Sequence, residues 1–407
     1  MKKLLAVTVA LLLVLSLTSA LADEPAPAFE KAGDKYEYGH FTVNAVVLNG
    51  NGEDFNGNPS FSIYQIDDYT AAVPWADGYD ANGVTSDNNT ASMYVVVTEN
   101  HALVIDLGNG RSSTAGHFGE DAGDEAVLAG IDAEYNALVK ALAGGREISV
   151  AITHNHGDHT GFRTALANEG YTIYFPEVDY TERMQQSLAL EESYDLVTFI
   201  AGEFDITLDD ITIKTIDCKG HTTGSTMFLI TTPVVSYAYD ASGAAVSSSA
   251  IYYLFSGDAI GSGGSVWIFS QSAFDQLASV IDAVYDELAT YTNYNDFLGG
   301  EEKTDAVLRV EGGHGWQVTN MFGDMAMNLE FVGNLRDLCK IVPTGEWEVS
   351  DNTKDGLGAL LLDGKAATKA ADSWLNTTIY YGSNPEAIAA INTTQAVLDA
   401  VAGIVAE

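Results

Sequence analysis

The chain has 407 residues, 46% of them hydrophobic, and its 57 acidic against 18 basic side chains give a formal net charge of −39. That apolar content excludes a disordered chain. The acidic excess, spread along the sequence without a basic stripe, excludes a surface built to hold nucleic acid or anionic membrane, because nothing is present to displace counterions from phosphates.

Residues 1–22 read as a secretory signal peptide: Lys2 and Lys3, an uncharged run from Leu4 to Leu17, then Ala20-Leu21-Ala22 as a small-x-small cleavage site. The run falls short of the roughly 20 residues a membrane span needs, and no later stretch is long and apolar enough to replace it. The expectation is a secreted or periplasmic protein with no stable membrane insertion after signal removal. Residues 23–40, opening with the acidic "DEPAPAFE", read as a linker.

Strands are expected at Phe41 to Val47, Phe61 to Ile66, Met93 to Thr98 and Ala102 to Gly108. Leu128, Ile131, Tyr135, Leu138 and Leu142 then repeat at helical spacing until Gly144-Gly145 caps the run. Ile148, Val150 and Ile152 return to period two. Further strands are expected at "TIYFP", "ITIKTIDC", "TMFLIT" and "AIYYLFSGD", with another helix through Phe274, Leu277, Ile281, Val284 and Leu288. This mixture implies an α+β protein of two packed sheets with helices outside. Two cysteines, Cys218 and Cys339, are too few for a disulfide framework, although a single bridge stays open. Cys339 keeps helical spacing with Met321, Met325, Leu329 and Val332, as a buried, inert thiol would.

The stretch "ITHNHGDHTG", Ile152 to Gly161, holds three of the chain's eight histidines. His154 and His156, two apart at a strand end, share a face and can converge on one ion. Asp158 and His159 come as the chain turns into a helix at "HTGFRTAL" and point elsewhere, toward a second ion. Buried together without metal, these groups would strand one another's polar atoms; a surface loop with chance histidines is the bland alternative. Further ligands are expected at strand ends on the same sheet edge. His221 in "KGHTTGS", Asp258 in "LFSGDAIG" and His314 in "VEGGHGW" qualify, and the two oxygens of Asp258 suit a bridge between metals. Each alone would more often be structural, but the ordered set points to metal chemistry.

These motifs, with "LVIDLG" upstream, resemble the metallo-β-lactamase superfamily over about residues 41–342. The resemblance implies a four-layer αβ/βα sandwich with two divalent metal ions at one edge, Zn2+ first and Fe or Mn as alternatives. His154, His156 and His221 would hold one ion, Asp158, His159 and His314 the other, and Asp258 would bridge; Asp106 would support the loops. The main zinc β-lactamases carry arginine where His159 stands and a cysteine ligand where Asp258 stands, and Cys218 does not match that cysteine, so it is read as non-ligating. Oxygen and nitric oxide reductases place glutamate at His156. The pattern looks more like the glyoxalase II and lactonase branches: a hydrolase in which metal-bound hydroxide attacks a small ester, thioester, lactone or phosphoester, with Asp158 orienting it. The small-molecule substrate is the only partner implied. The alternatives are a β-lactam hydrolase and a non-catalytic extracellular metal-containing binding protein, whose site would lack an open coordination position.

His40 and His101 are read as solvated, and His117 lies in a loop that can border a substrate. Trp267, Trp316 and the segment Thr290 to Phe297 read as core more readily than as pocket lining. Residues 343–407 are expected to form a helical extension packed on the core, from "KAATKAADSWL" and "PEAIAAINTTQAVLDAVAGIVAE".

Overall fold

The computed structural model describes residues 28–48, 60–68, 91–167, 169–180, 196–239, 241–242, 245–261, 266–268, 271–294, 304–314 and 327–341, with the short segments 348–350, 358–362, 365–368 and 377–381. The expectations for the signal peptide, Trp316, Met321, Met325 and the last predicted helix lie outside these residues.

Strand β2 (Phe41–Val47) buries Phe41, Val43, Ala45 and Val47, which is the period-two pattern of a strand covered more fully on one face. It sits in an eight-stranded sheet with β1 (Lys35–Tyr38), β3 (Ser62–Asp67), β4 (Ser92–Val97), β5 (His101–Ile105), β6 (Glu147–Ala151), β7 (Thr172–Pro176) and β8 (Val197–Ile200), laid side by side in chain order. Pairing is antiparallel from β1 to β5 and parallel from β5 to β8. Helices α1 (Arg111–His117) and α2 (Glu125–Ala143) link β5 to β6, and α3 (Arg163–Ala167) links β6 to β7. Asp124 starts α2 by accepting from Ala126 N at 2.9 Å. The stripe Leu128, Ile131, Tyr135, Leu138 and Leu142 then packs on the outer face of the sheet.

The second sheet takes β9 (Asp205–Leu208), β10 (Ile211–Asp217), β11 (Thr226–Ile230), β12 (Val234–Tyr239) and β13 (Ala245–Gly257). Strand β14 (Val266–Ile268) leaves it, and β15 (Asn293–Tyr294) and β16 (Thr304–Gly312) return to it. Helices α4 (Gln271–Ala289) and α5 (Leu329–Ile341) cover its outer face through Phe274, Leu277, Ile281, Phe331 and Leu335. Between the sheets, Ile63, Val96 and Leu103 interdigitate with Ile213, Phe228 and Phe255. The layers therefore run helix, sheet, sheet, helix, the α+β sandwich expected from the sequence.

Two expectations need correction. The linker 23–40 contains β1, paired antiparallel with β2 from Lys35 opposite Asn44 to Tyr38 opposite Phe41; its "KYEY" sequence is half charged because the strand lies at the sheet edge. The described residues of the expected helical extension are strands: β17 (Glu348–Ser350), β18 (Gly358–Leu362), β19 (Lys365–Thr368) and β20 (Thr377–Tyr381), joined with β14 in a five-stranded sheet that touches α5. The "KAAT" of β19 has helix propensity, but pairing with β17 and β18 overrides it. Cys218 and Cys339 are buried free thiols, and burial pushes Cys339 up to about 12. No helix among the described residues is long and apolar enough to cross a membrane.

Candidate metal centre

The exits of β5, β6, β10, β13 and β16 meet at one edge of the sandwich, and the motif residues lie there. Strand β6 ends at Ala151, so His154 and His156 belong to the following loop rather than to a strand end. Their convergence comes from a turn in which the His156 carbonyl accepts from His159 N at 3.2 Å and from Thr160 Oγ1 at 2.9 Å. Leu107 N donates to the His159 carbonyl and Gly161 N to the Gly108 carbonyl, which knits this loop to the exit of β5.

Two groups of side chains result, each with one ligand atom per residue within 4.8 Å of the others: His154, His156 and His221, and Asp158, His159, Asp258 and His314. Ring centroids in the first group stand 4.6 to 4.8 Å apart. Asp258 Oδ2 lies 3.5 Å from His159 Nε2, 3.4 Å from His314 Nε2 and 3.6 Å from His221 Nε2, so one carboxylate oxygen faces both groups. Gly313 makes this approach feasible. A Cβ there would lie 2.5 Å from His159 Cε1 and 2.6 Å from Asp258 Oδ1.

Electrostatics divide the groups. Burial, with His159 and His221 adding, holds His154 well below the usual imidazole range, and burial beside His221 lowers His156 to about 4. Both are neutral, as ligands must be. Burial opposes protonation of His159 and His314 as well, but the surrounding carboxylates together outweigh it, Asp258 with Asp106 and Asp158 at His159 and Asp258 with Asp158 at His314: in the metal-free protein His159 is held well above the usual range and His314 is raised to about 9. Burial would raise Asp258, yet His314 and His159 hold it well below the carboxylate range. Among the described residues, the buried Nε2 of His154 has no hydrogen-bond partner, and that of His159 has none closer than Asp258 Oδ2 at 3.5 Å. An orphaned imidazole nitrogen costs on the order of 1–3 kcal/mol, and a cation facing it removes that cost. The nitrogen and carboxylate donor sets fit divalent zinc, iron or manganese.

Asp106 does the supporting work expected of it, from a backbone at φ 61°. It accepts from Thr153 N at 2.8 Å and Thr153 Oγ1 at 2.7 Å, and its Oδ2 lies 2.8 Å from His159 Nδ1. Three further residues hold the loops without belonging to either group, and no sequence pattern marks them. Asp68 accepts from Asn109 N and, at 3.1 Å, from Ala91 N, with burial pushing its carboxyl up to about 7. Tyr94 donates its hydroxyl to the Gly312 carbonyl at 2.7 Å. Asp179 spans two ligand loops.

The remaining histidines differ from expectation. His40 is not solvated: its Nδ1 lies 2.9 Å from Glu134 Oε2, with 19% of the side chain exposed. His101 opens β5 with Nδ1 3.2 Å from Asp209 Oδ1, anchored rather than free in a turn. His117 ends α1, its ring edge-on to Phe118 at 5.4 Å. Among the described residues neither group includes these three or Cys218, whose Sγ sits in the core 4.0 Å from the Ala259 carbonyl.

No family model matches the chain. A hydroxyacylglutathione hydrolase from Halorhodospira halophila (strain DSM 244 / SL1) is 27% identical over 164 residues, covering 40% of this chain and 49% of that protein. The chain thus spans about half the length of the curated relative it matches. Among solved structures, a metallo-β-lactamase from Staphylococcus aureus subsp. aureus COL aligns with TM-score 0.35 at 19% identity, over 61% of this chain and 58% of its own. One from Pontibacter korlensis aligns with TM-score 0.39 at 12% identity, over 71% and 98%. The chain is thus similar over part of its length to a hydroxyacylglutathione hydrolase, and it brings the motifs that resemble the metallo-β-lactamase superfamily together at one edge of a helix-sheet-sheet-helix sandwich.

Proposed function

We propose that the chain is an exported hydrolase with a dinuclear metal centre, acting on a small ester, thioester, lactone or phosphoester. The observation that supports it most is the position of Asp258, whose single oxygen faces imidazoles of both groups. Divalent cations there, zinc first, supply Lewis acidity and bring the deprotonation of water near neutral pH. The chain's own residues do the rest. His154, His156 and His221 would hold one ion, Asp158, His159 and His314 the other, with the Asp258 carboxylate facing both groups. Asp106 Oδ2 accepts a hydrogen bond from His159 Nδ1–H and so would leave the Nε2 lone pair for an ion. Asp158 and His156 are the less buried members of the set, which supports theirs as the side that substrate would meet, where Asp158 would orient the attacking water.

The relative's name directs attention to thioesters, and the −39 charge disfavours polyanionic substrates. Export rests on the leader read in residues 1–22. The test is elemental analysis of the protein lacking residues 1–22, paired with hydrolysis of thioesters, lactones, phosphodiesters and a chromogenic β-lactam by wild type and Asp258→Asn. About two metals per chain and turnover that collapses in the variant are expected. One metal or none, with no turnover across the panel, overturns the proposal.

A further inference from the structure

Asp179 is 3% exposed and sits at the end of a one-turn 3-10 helix, Glu177–Asp179, directly after β7. Its carboxylate reaches two loops that are far apart in sequence. Oδ1 accepts from Gly224 N at 2.8 Å. Oδ2 accepts from Thr222 Oγ1 at 2.6 Å and from Asn155 N at 3.2 Å, and the Asp179 carbonyl accepts from Asn155 Nδ2 at 3.1 Å. Asn155 stands between His154 and His156, and Thr222 follows His221. Every candidate ligand of the first group is therefore next in sequence to a residue that Asp179 grips. Gly224 carries the complementary signature: a Cβ there would lie 2.8 Å from both Cγ and Oδ1 of Asp179, so the carboxylate occupies the space a side chain would need.

We propose that Asp179 is a positioning residue that sets the distance between the His154/His156 loop and the His221 loop, and thereby the affinity of the first metal site. This rests on the metal-centre reading above. Asp179 touches no substrate or ion itself. An oxygen-only acceptor suits the task because it takes donors from both loops at once. Asparagine keeps the shape, but its NH2 group faces either the Gly224 N–H or the Asn155 N–H, donor against donor.

The test measures Zn2+ and Co2+ binding by chelator competition for wild type, Asp179→Asn, Asp179→Ala and Gly224→Ala, with the Co2+ absorption spectrum and the melting temperature of the metal-free protein. Ile213→Val, in the core between the sheets, controls for destabilisation alone. The expected result is one ion bound about 10- to 100-fold more weakly in Asp179→Asn, with an altered Co2+ spectrum, and the other ion changed little. Gly224→Ala, which displaces the same carboxylate, should follow it, and Ile213→Val should bind as wild type. Should Asp179→Ala not fold, the asparagine and Gly224 variants carry the same readout. Wild-type affinity for both ions in Asp179→Asn overturns this proposal alone, as does a lowered melting temperature with unchanged metal binding. A wild-type protein that takes up no metal overturns the metal-centre reading, and this proposal with it.

Discussion

Replacing Asp106 with asparagine tests the supporting network most directly. The side chain is 3% exposed and serves three donors: Thr153 N, Thr153 Oγ1 and His159 Nδ1. Asparagine keeps the volume and tolerates the left-handed backbone at φ 61° better than other non-glycine residues. It cannot serve all three donors. With its oxygen toward Thr153 N, its NH2 faces His159 Nδ1; the imidazole must then shift its proton to Nε2, the atom needed for metal. With the amide turned over, NH2 opposes the Thr153 N–H inside the loop. Either arrangement leaves a buried group unpaired, at about 1–3 kcal/mol. At 1.4 kcal/mol per decade this corresponds to about 10- to 100-fold weaker binding of the ion held by the His159 group. Chelator competition reads the metal effect, and urea unfolding of metal-free protein reads the stability effect. Binding of both ions within about twofold of wild type, with an unchanged urea midpoint, would refute the claim that Asp106 sets the His159 tautomer.

Three other perturbations have expected outcomes. The hydrogen bond to Glu134 raises His40 above 6.5 against the opposing effect of burial, with the charge of Glu120 adding. Its stabilising contribution is therefore whole below the unfolded value and fades as pH rises through the folded one. The urea-midpoint gap between metal-free wild type and His40→Gln should be wider at pH 6 than at pH 9, and equal gaps would contradict this. Gly313→Ala pushes a methyl group into His159 and Asp258, and displacement of that order should cut kcat/KM about 100-fold in a folded protein; full activity would mean that the loop yields freely. Cys218 and Cys339, both buried, should react with Ellman's reagent only after denaturation, and rapid labelling of native protein would count against the core packing described.

The sequence revealed those parts of the molecule whose chemistry is concentrated in a few residues. The histidine-rich loop, His221, Asp258 and His314 could be singled out because imidazoles and carboxylates flanked by glycine at strand ends have few other uses. Helices α2 and α4 could be read because each buries a single stripe. No element was expected at β12 or the first part of β13, where the serine-rich "VSSSA" lacks an apolar alternation; the two pair antiparallel from Val234 opposite Ile251 to Tyr239 opposite Ala245. Asp68, Tyr94 and Asp179 are likewise unmarked in the sequence. Each is an ordinary residue whose importance lies in partners that are distant in the chain, such as Gly224 for Asp179. A local pattern carries no record of such a contact.

The division of the sheets along the chain has a consequence for assembly. Among the described residues, the first sheet draws on Lys35 to Ile200 and the second on Asp205 to Gly312. The candidate ligands divide the same way, with four on loops of the first sheet and three on loops of the second. Neither half carries all the candidate donors of a group, so high-affinity metal uptake at these groups would wait until the two faces have docked. In a refolding experiment, metal capture would then report the meeting of the sheets, and it is expected later than the appearance of strand signal from either one.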